Sequence, residues 1–273
     1  MTALNEKESS LDRKLGKSAS LIVAYSGGVD SAYLASRAHQ VLGERMLAVT
    51  ALSASYSARD RQMAEECASQ ARFPHEFIDT EELSNAAYRA NNPNRCFFCK
   101  DELFTKLDAL ASERGFADVA YGVNLDDQGD WRPGARAAHN HRVLTPLLDV
   151  GLTKADIRQL ARNAGLPVWD RPASPCLASR IAYGFEVTPE RLAAVEQGEE
   201  KLRELGFRQF RVRHHGNLAR LEIAPEELAR AFSPQMVQRF VEIFKSLGFT
   251  YVTLDLEGYR RGSLNAHLVQ NLL

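Results

Sequence analysis

Two groups of residues in this 273-residue chain have the types and spacing to do chemistry. The first is Ser26-Gly27-Gly28-Val29-Asp30-Ser31, set between an apolar run and a helical pattern. Backbone N–H groups and the dipole at a helix start can hold an anion there, and glycines let the backbone approach phosphate oxygens closely. The run lacks the Lys of a P-loop kinase. The second group is sulfur. Cys96 and Cys99 form a C-x-x-C pair, and Cys176 lies in Pro172-Ala-Ser-Pro-Cys-Leu-Ala-Ser-Arg180. Arg171 and Arg180 flank Cys176 with positive charge, which favours the thiolate that attacks electrophiles or binds metal.

Several uses of these thiols stay open on the residues alone. A C-x-x-C pair reads as a redox couple or half a zinc site, with His139 or His141 as a further ligand. Three cysteines without an obvious fourth suit a [4Fe–4S] cluster with one open iron, held by Cys96, Cys99 and Cys176. Cys67 falls on the apolar side of a helix and reads as a small buried hydrophobe. The chain has four cysteines and no export signal, so structural disulfides are not expected.

The elements that must position these groups follow from periodicity. Leu21 to Tyr25 reads as a strand that stops at the glycines and gives way to a helix from Ser31. Met46 to Leu52, Phe77-Ile78 and Val119 to Val123 read as further strands. They alternate with helices over Ala58–Ala71, with Met63, Cys67 and Gln70 on one side, over Lys100–Arg114 and over Lys154–Ala164. Alternation of this kind predicts an α/β fold with a doubly wound parallel sheet. Asn124, at the end of the fourth strand, lies on the edge where ligands bind in such sheets. The proline-rich stretch Asp170–Pro175 breaks the pattern, and the reading places a domain boundary near residue 184, giving domains 1–184 and 185–273.

The second domain reads as a smaller α+β unit. Thr188-Pro189 opens a helix, two strands around Phe210–Val212 and Asn217–Ile223 form a hairpin-like pair, and a helix from Pro234 and a strand from Thr250 complete it. Arg211 and Arg213 share one strand face and present forked donors suited to a phosphate monoester. Glu199 falls inside the apolar stripe Leu192, Val195, Leu202, so it requires a partner or a job.

Composition excludes some classes. With 34 basic and 35 acidic residues there is no global field to hold a polyanion, so nucleic acid is not expected as a partner. No stretch approaches the roughly 20 apolar residues of a membrane helix, and the polar start lacks a signal-peptide core. The expectation is a cytoplasmic homo-oligomer.

Ser-Gly-Gly-Val-Asp-Ser resembles the signature of the PP-loop ATP pyrophosphatases, which cleave ATP between the α and β phosphates and have a HUP-like α/β fold. The resemblance implies ATP and Mg²⁺ as ligands. Ser26, Gly27, Gly28, Val29 and Ser31 would hold the pyrophosphate, and Asp30 would act near the Mg²⁺. Together with Pro-Ala-Ser-Pro-Cys-Leu-Ala-Ser-Arg180 and Gly258-Tyr-Arg-Arg-Gly-Ser-Leu-Asn265, it resembles the LarE family over essentially the whole chain.

That family converts the carboxylates of pyridinium-3,5-biscarboxylate mononucleotide to thiocarboxylates in making the nickel-pincer nucleotide of lactate racemase. The resemblance makes Cys176 the catalytic cysteine, gives Glu199 and Glu222 a role in holding metal or orienting substrate, and assigns Arg180, Arg211 and Arg213 to the substrate phosphate. Single-cysteine members resemble sacrificial reagents left as dehydroalanine. Members with three cysteines, as here, resemble cluster proteins that relay exogenous sulfide, whose donor the sequence does not name.

The expected reaction is adenylation of a carboxylate with pyrophosphate release, followed by displacement of AMP by sulfur. Three rivals stand beside it. A PP-loop tRNA thiolase is disfavoured by net charge −1 and the lack of a basic arm. An ATP-dependent amide ligase would share the loop but not the cysteine trio. An ATP-binding sensor would need neither Asp30 nor a reactive Cys176.

Overall fold

The computed structural model describes residues 2–128, 133–260 and 263–265. The chain folds as two compact units, Met1–Asn85 with Asn94–Ser174, and Ala86–Pro93 with Pro175–Leu273. The second unit takes up the chain at Pro175, and the excursion Ala86–Pro93 joins it.

In the first unit, α1 (Ala3–Leu15), whose N-terminus is capped by Thr2, precedes β1 (Leu21–Ala24) and α2 (Val29–Leu42). Then come β2 (Met46–Leu52), α3 (Ala58–Ala71) and β3 (His75–Asp79). After the short α4 (Ala86–Arg89) of the second unit, the chain continues as α5 (Arg95–Arg114), β4 (Asp118–Tyr121), α6 (Pro133–Asn140), α7 (Pro146–Asp149) and α8 (Lys154–Asn163). The four strands form a parallel sheet in the order β3-β2-β1-β4. This is the α/β architecture expected.

Strand β1 shows why its apolar run is unbroken. Leu21 and Val23 enter the core layer of Ala32, Ala35 and Ile157, while Ile22 and Ala24 enter the opposite layer of Phe104 and Leu107. A strand covered on both faces reads as continuous rather than alternating hydrophobicity.

Two helices differ from expectation. Helix α3 has the expected bounds, but its buried face is Ala64, Cys67 and Ala68, with Gln70 exposed. Helix α5 begins at Arg95 rather than Lys100, so Cys96 and Cys99 occupy its first turn.

In the second unit, α9 (Pro189–Glu204) is capped by the Thr188 hydroxyl and followed by β5 (Phe210–His215) and β6 (Leu218–Ile223). The short α10 (Leu228–Ala231), α11 (Pro234–Ser246) and β7 (Tyr251–Leu254) complete it. Strands β5 and β6 are antiparallel, β6 and β7 parallel. Val212, Leu221, Phe240 and Phe244 are among the residues of its core. The excursion is tied in by Asn91, whose buried amide nitrogen donates to the carbonyls of Ile181, Ala182 and Phe185 at 3.2, 2.9 and 2.9 Å.

His214 is buried against Phe249, its Nδ1 without a hydrogen-bond partner. Burial, aided by Arg191, pushes its pKa down to about 4. A lowered histidine pKa means the unfolded chain takes up the proton first, so stability falls as pH drops from about 6.5 to about 4. The loss approaches roughly 3 kcal/mol at the acid end. Thermal melts of wild type and His214→Gln between pH 7 and 4 test this. The variant should lose the acid-dependent part of the decline, and equal slopes would refute the assignment.

Candidate active site

The phosphate loop joins β1 to α2. Gly27 has φ +72°, a left-handed conformation that favours glycine, and a Cβ there would meet the Ala64 Cβ at 3.0 Å. The Ser26 and Ser31 hydroxyls lie 3.1 Å apart, and the Ser26 amide donates to Ser31 Oγ at 3.1 Å. Gly28 is the N-cap of α2 and offers no side-chain cap, so the amides of the first helical turn keep their capacity for an anion.

Asp30 sits on that first turn. Its Oδ2 accepts from Lys154 Nζ at 2.5 Å, while its Oδ1 is buried without a hydrogen-bond partner. Burial raises its pKa, against the downward pull of Lys154 and a weaker one from the Asn124 amide. A desolvated carboxylate oxygen beside the amides of a helix start fits a hard divalent cation such as Mg²⁺.

Asn124 is buried and its carbonyl oxygen accepts from the Asp126 amide at 2.9 Å, while the Asp127 carboxylate accepts from its backbone N–H at 3.1 Å. Asp126 in turn accepts from the Lys154 amide at 2.8 Å. Asn124 thus belongs to a rigid turn that holds the start of α8, and Lys154 with it.

Lys154 is the functional residue that sequence reasoning missed. It sits 124 positions from Asp30, and its only local signal is its place just after the Thr153 N-cap.

Cys96 is exposed and Cys99 half-buried on the first turn of α5. The Cys99 thiol donates to Glu82 Oε1 at 3.5 Å, and burial raises the pKa of Glu82. Cys67 is buried beside Tyr25, as expected of a packing residue, and desolvation raises its pKa. Among the described residues no group of three or more His, Cys, Asp or Glu side chains is arranged to hold a metal ion.

In the second unit, Cys176 precedes the 3-10 turn Leu177–Arg180. Arg180 is only 3% exposed, and it donates from Nε and one terminal nitrogen to Glu199 at 2.9 and 3.1 Å. Its other terminal nitrogen reaches the carbonyls of Pro175 and Cys176. Its charge is therefore directed to a carboxylate and to the backbone of the cysteine loop. Arg171, the other flanking cation, belongs to the first unit and pairs with Asp60. This explains Glu199: it is the buried partner that the Cys176 loop needs, and it also accepts from the Val212 amide at 3.3 Å.

Arg213 and Glu222 form the adjoining pair, at 2.8 and 3.0 Å, with Glu222 fully buried. Directly opposite residues are Arg211 with Glu222 and Arg213 with Arg220, so the Arg213–Glu222 contact is diagonal across the strands. Ser263 donates to Glu222 at 2.7 Å and ties the segment after β7 to the cluster, while Arg261 and Gly262 of the same motif lie outside the described residues. Arg211 lies over the Tyr259 ring at 5.1 Å, its pKa lowered first by burial and then by Arg180.

No protein-family model matches the chain. It is 33% identical over 271 residues to the pyridinium-3,5-bisthiocarboxylic acid mononucleotide synthase of Lactiplantibacillus plantarum, covering 99% of this chain and 98% of that one. The chain belongs to the LarE family. It is also 42% identical to an uncharacterized protein of Synechocystis, covering 98% of this chain and all of that one. A more distant relative is the tRNA-specific 2-thiouridylase of Rickettsia felis, 27% identical over 67% of this chain and 60% of that one. This LarE protein is accordingly an ATP-using sulfurtransferase of the PP-loop group.

One glycine beside the phosphate loop, Gly122, has no slack. A Cβ on Gly122 would meet the Ser31 amide nitrogen at 2.7 Å and the Asp30 carbonyl carbon at 2.9 Å. Both are backbone atoms, so Gly122→Ala must push the end of β4 away from the phosphate loop. The expected cost is about 1–3 kcal/mol of stability and a loss of ATP affinity, read by thermal melts and by calorimetric titration with Mg·ATP. Unchanged values in both would show that the loop tolerates displacement.

Proposed function

We propose that this LarE protein uses ATP to adenylate a carboxylate of pyridinium-3,5-biscarboxylate mononucleotide and then replaces the AMP with sulfur. The observation that carries the first half is the orphaned, buried Oδ1 of Asp30 beside the amides of the phosphate loop. Asp30 would hold Mg²⁺ there, and the bound ion would neutralise phosphate charge. Ser26, Gly27, Gly28, Val29 and Ser31 hold the departing pyrophosphate. Lys154 balances Asp30 and keeps its second oxygen fixed. The substrate carboxylate attacks the α-phosphorus, the bond to the β-phosphate oxygen breaks, and an acyl-adenylate remains.

The second unit takes the mononucleotide phosphate. Arg180, Arg211, Arg213 and Arg220 lie in a cluster with Glu199, Glu222 and Asp255. Arg211 lies over the Tyr259 ring with its charge disfavoured first by burial and then by Arg180, and an entering phosphate monoester would relieve that. Arg180 and Arg213 would have to give up donors to Glu199 and Glu222 before touching substrate, so the two carboxylates hold them in readiness and orient the site.

Sulfur enters through Cys176. In one route its Sγ displaces AMP to give a thioester. The Cβ–Sγ bond then breaks with loss of the Cα proton, leaving the thiocarboxylate on the substrate and dehydroalanine in the chain. In the other, Cys96, Cys99 and Cys176 would hold a [4Fe–4S] cluster, which when bound would supply a carrier for exogenous sulfide. The C-x-x-C pair on one helical turn supports the second route. The protein's proposed site of action is the cytoplasm; among the described residues no helix is long and apolar enough to cross a membrane.

The test is pyrophosphate release from Mg·ATP with and without the biscarboxylate mononucleotide. Release that requires the mononucleotide, with product mass showing oxygen exchanged for sulfur, is the expected result. Release that is indifferent to the mononucleotide but stimulated by tRNA would transfer the case to a tRNA thiolase.

A further inference from the structure

The phosphate loop can bind an anion only if its amides point at the anion, and two side chains outside the loop hydrogen-bond to its carbonyls. The Tyr56 hydroxyl donates to the Ser26 carbonyl at 3.2 Å and also reaches the Asp60 carbonyl at 3.1 Å. Arg171 donates to the Gly27 carbonyl at 3.4 Å and is ion-paired with Asp60. No peptide among the described residues is cis. In a trans peptide the N–H lies on the opposite edge of the plane from the C=O. Holding the Ser26 carbonyl therefore turns the Gly27 amide the other way, and holding the Gly27 carbonyl does the same for the Gly28 amide. Glycine at these positions supplies no side chain to fix the planes, so an external hold is required.

We infer that Tyr56 and Arg171 are positioning residues that aim the Gly27 and Gly28 amides at the pyrophosphate half of ATP. This rests on the reading of the loop as the ATP site. Asp60 is the common anchor. It lies in the first turn of α3, accepts from the Ser57 hydroxyl at 2.7 Å and from Ser174 at 3.4 Å, and holds the Arg171 guanidinium between itself and the loop. Burial, followed by the nearby Asp60 charge, raises the pKa of Tyr56, which keeps its hydroxyl a donor. A Cβ on Gly27 would meet Ala64 of the same helix at 3.0 Å, so the N-terminal half of α3 closely backs the loop.

The two substitutions that probe this keep size and charge. Tyr56→Phe removes only the hydroxyl, and Arg171→Lys keeps a cation for Asp60 while losing the fork that reaches Gly27. Calorimetric titration of the full chain with Mg·pyrophosphate and, separately, with AMP reads the effect. The expected result is a loss of roughly threefold to tenfold in pyrophosphate affinity for each variant, the scale of one hydrogen bond, with AMP affinity unchanged. A general structural role would weaken both ligands together, and that outcome, or no change in either, overturns the inference. Should Tyr56→Phe fail to fold, Arg171→Lys decides alone. If the wild-type chain binds neither ligand, the ATP reading falls and this inference falls with it.

Discussion

Asp30→Asn is expected to cut mononucleotide-dependent pyrophosphate release by at least about 100-fold while leaving the melting temperature at or above that of the wild type. The two signs come from one observation. Burial raises the pKa of Asp30 despite Lys154 and Asn124, so the fold favours the protonated acid. A carboxyl group whose folded pKa is raised gives its full stability contribution below its unfolded value near 3.9. That contribution is lost as pH climbs through the raised value. At neutral pH the ionised Asp30 is therefore a cost to the fold, and neutral Asn removes it. Lys154, with its side chain 35% exposed, can be hydrated once its partner is gone.

Lys154→Met should show the opposite stability sign, because it leaves the buried carboxylate without its main counter-charge. Pyrophosphate assays and thermal melts on the two single variants and the double one measure the coupling. An Asp30→Asn protein that melts well below wild type yet still releases pyrophosphate would remove both the metal role and the claim that the site stores instability for function.

The same contrast between local and distant information explains what could be read from the residues beforehand. The phosphate turn was legible because its strand, glycines and helix are contiguous, and each obeys its own propensity. Helix α3 was legible to the residue, since Ser57 caps it and its last turn ends at Arg72 in the left-handed conformation. The start of α5 was not. Asn94 makes no side-chain cap there, so Lys100 seemed as good a beginning as Arg95. Helix α1 was missed for a related reason: it buries only Leu11 and Leu15, too sparse a stripe to stand out from a polar start.

Glu199 could be recognised as a carboxylate out of place, because an apolar stripe admits no unpaired charge. Its partner Arg180 lies on another element 19 residues earlier, which no helical spacing reveals. The excursion Ala86–Pro93 was out of reach altogether. Its allegiance rests on contacts some 90 positions away, among them the Asn91 amide meeting three carbonyls and Arg89 paired with Glu186.

Cys176→Ala is expected to abolish thiocarboxylate formation, to below about one part in 100 of wild type, while mononucleotide-dependent pyrophosphate exchange persists. The separation follows from the proposed division of roles, in which Asp30 on α2 and Lys154 on α8 serve activation of the carboxylate and Cys176 serves only the transfer of sulfur. Both sulfur routes lose their reagent in this variant, so it tests the role of Cys176 without choosing between them. The choice falls to Cys96→Ala/Cys99→Ala. If Cys176 gives up its own sulfur, the double variant still makes one product per chain, and the intact protein mass drops by one hydrogen sulfide. If the three thiols act together, the double variant makes none and its mass is unchanged. Because Cys99 donates to Glu82, removing its thiol leaves that buried carboxyl with Thr80 as its remaining side-chain donor. A melt of the double variant must therefore accompany the assay, and a folded protein with no product assigns the sulfur to the trio. Product formation that continues through many turnovers in Cys176→Ala would remove the thiol from the reaction altogether.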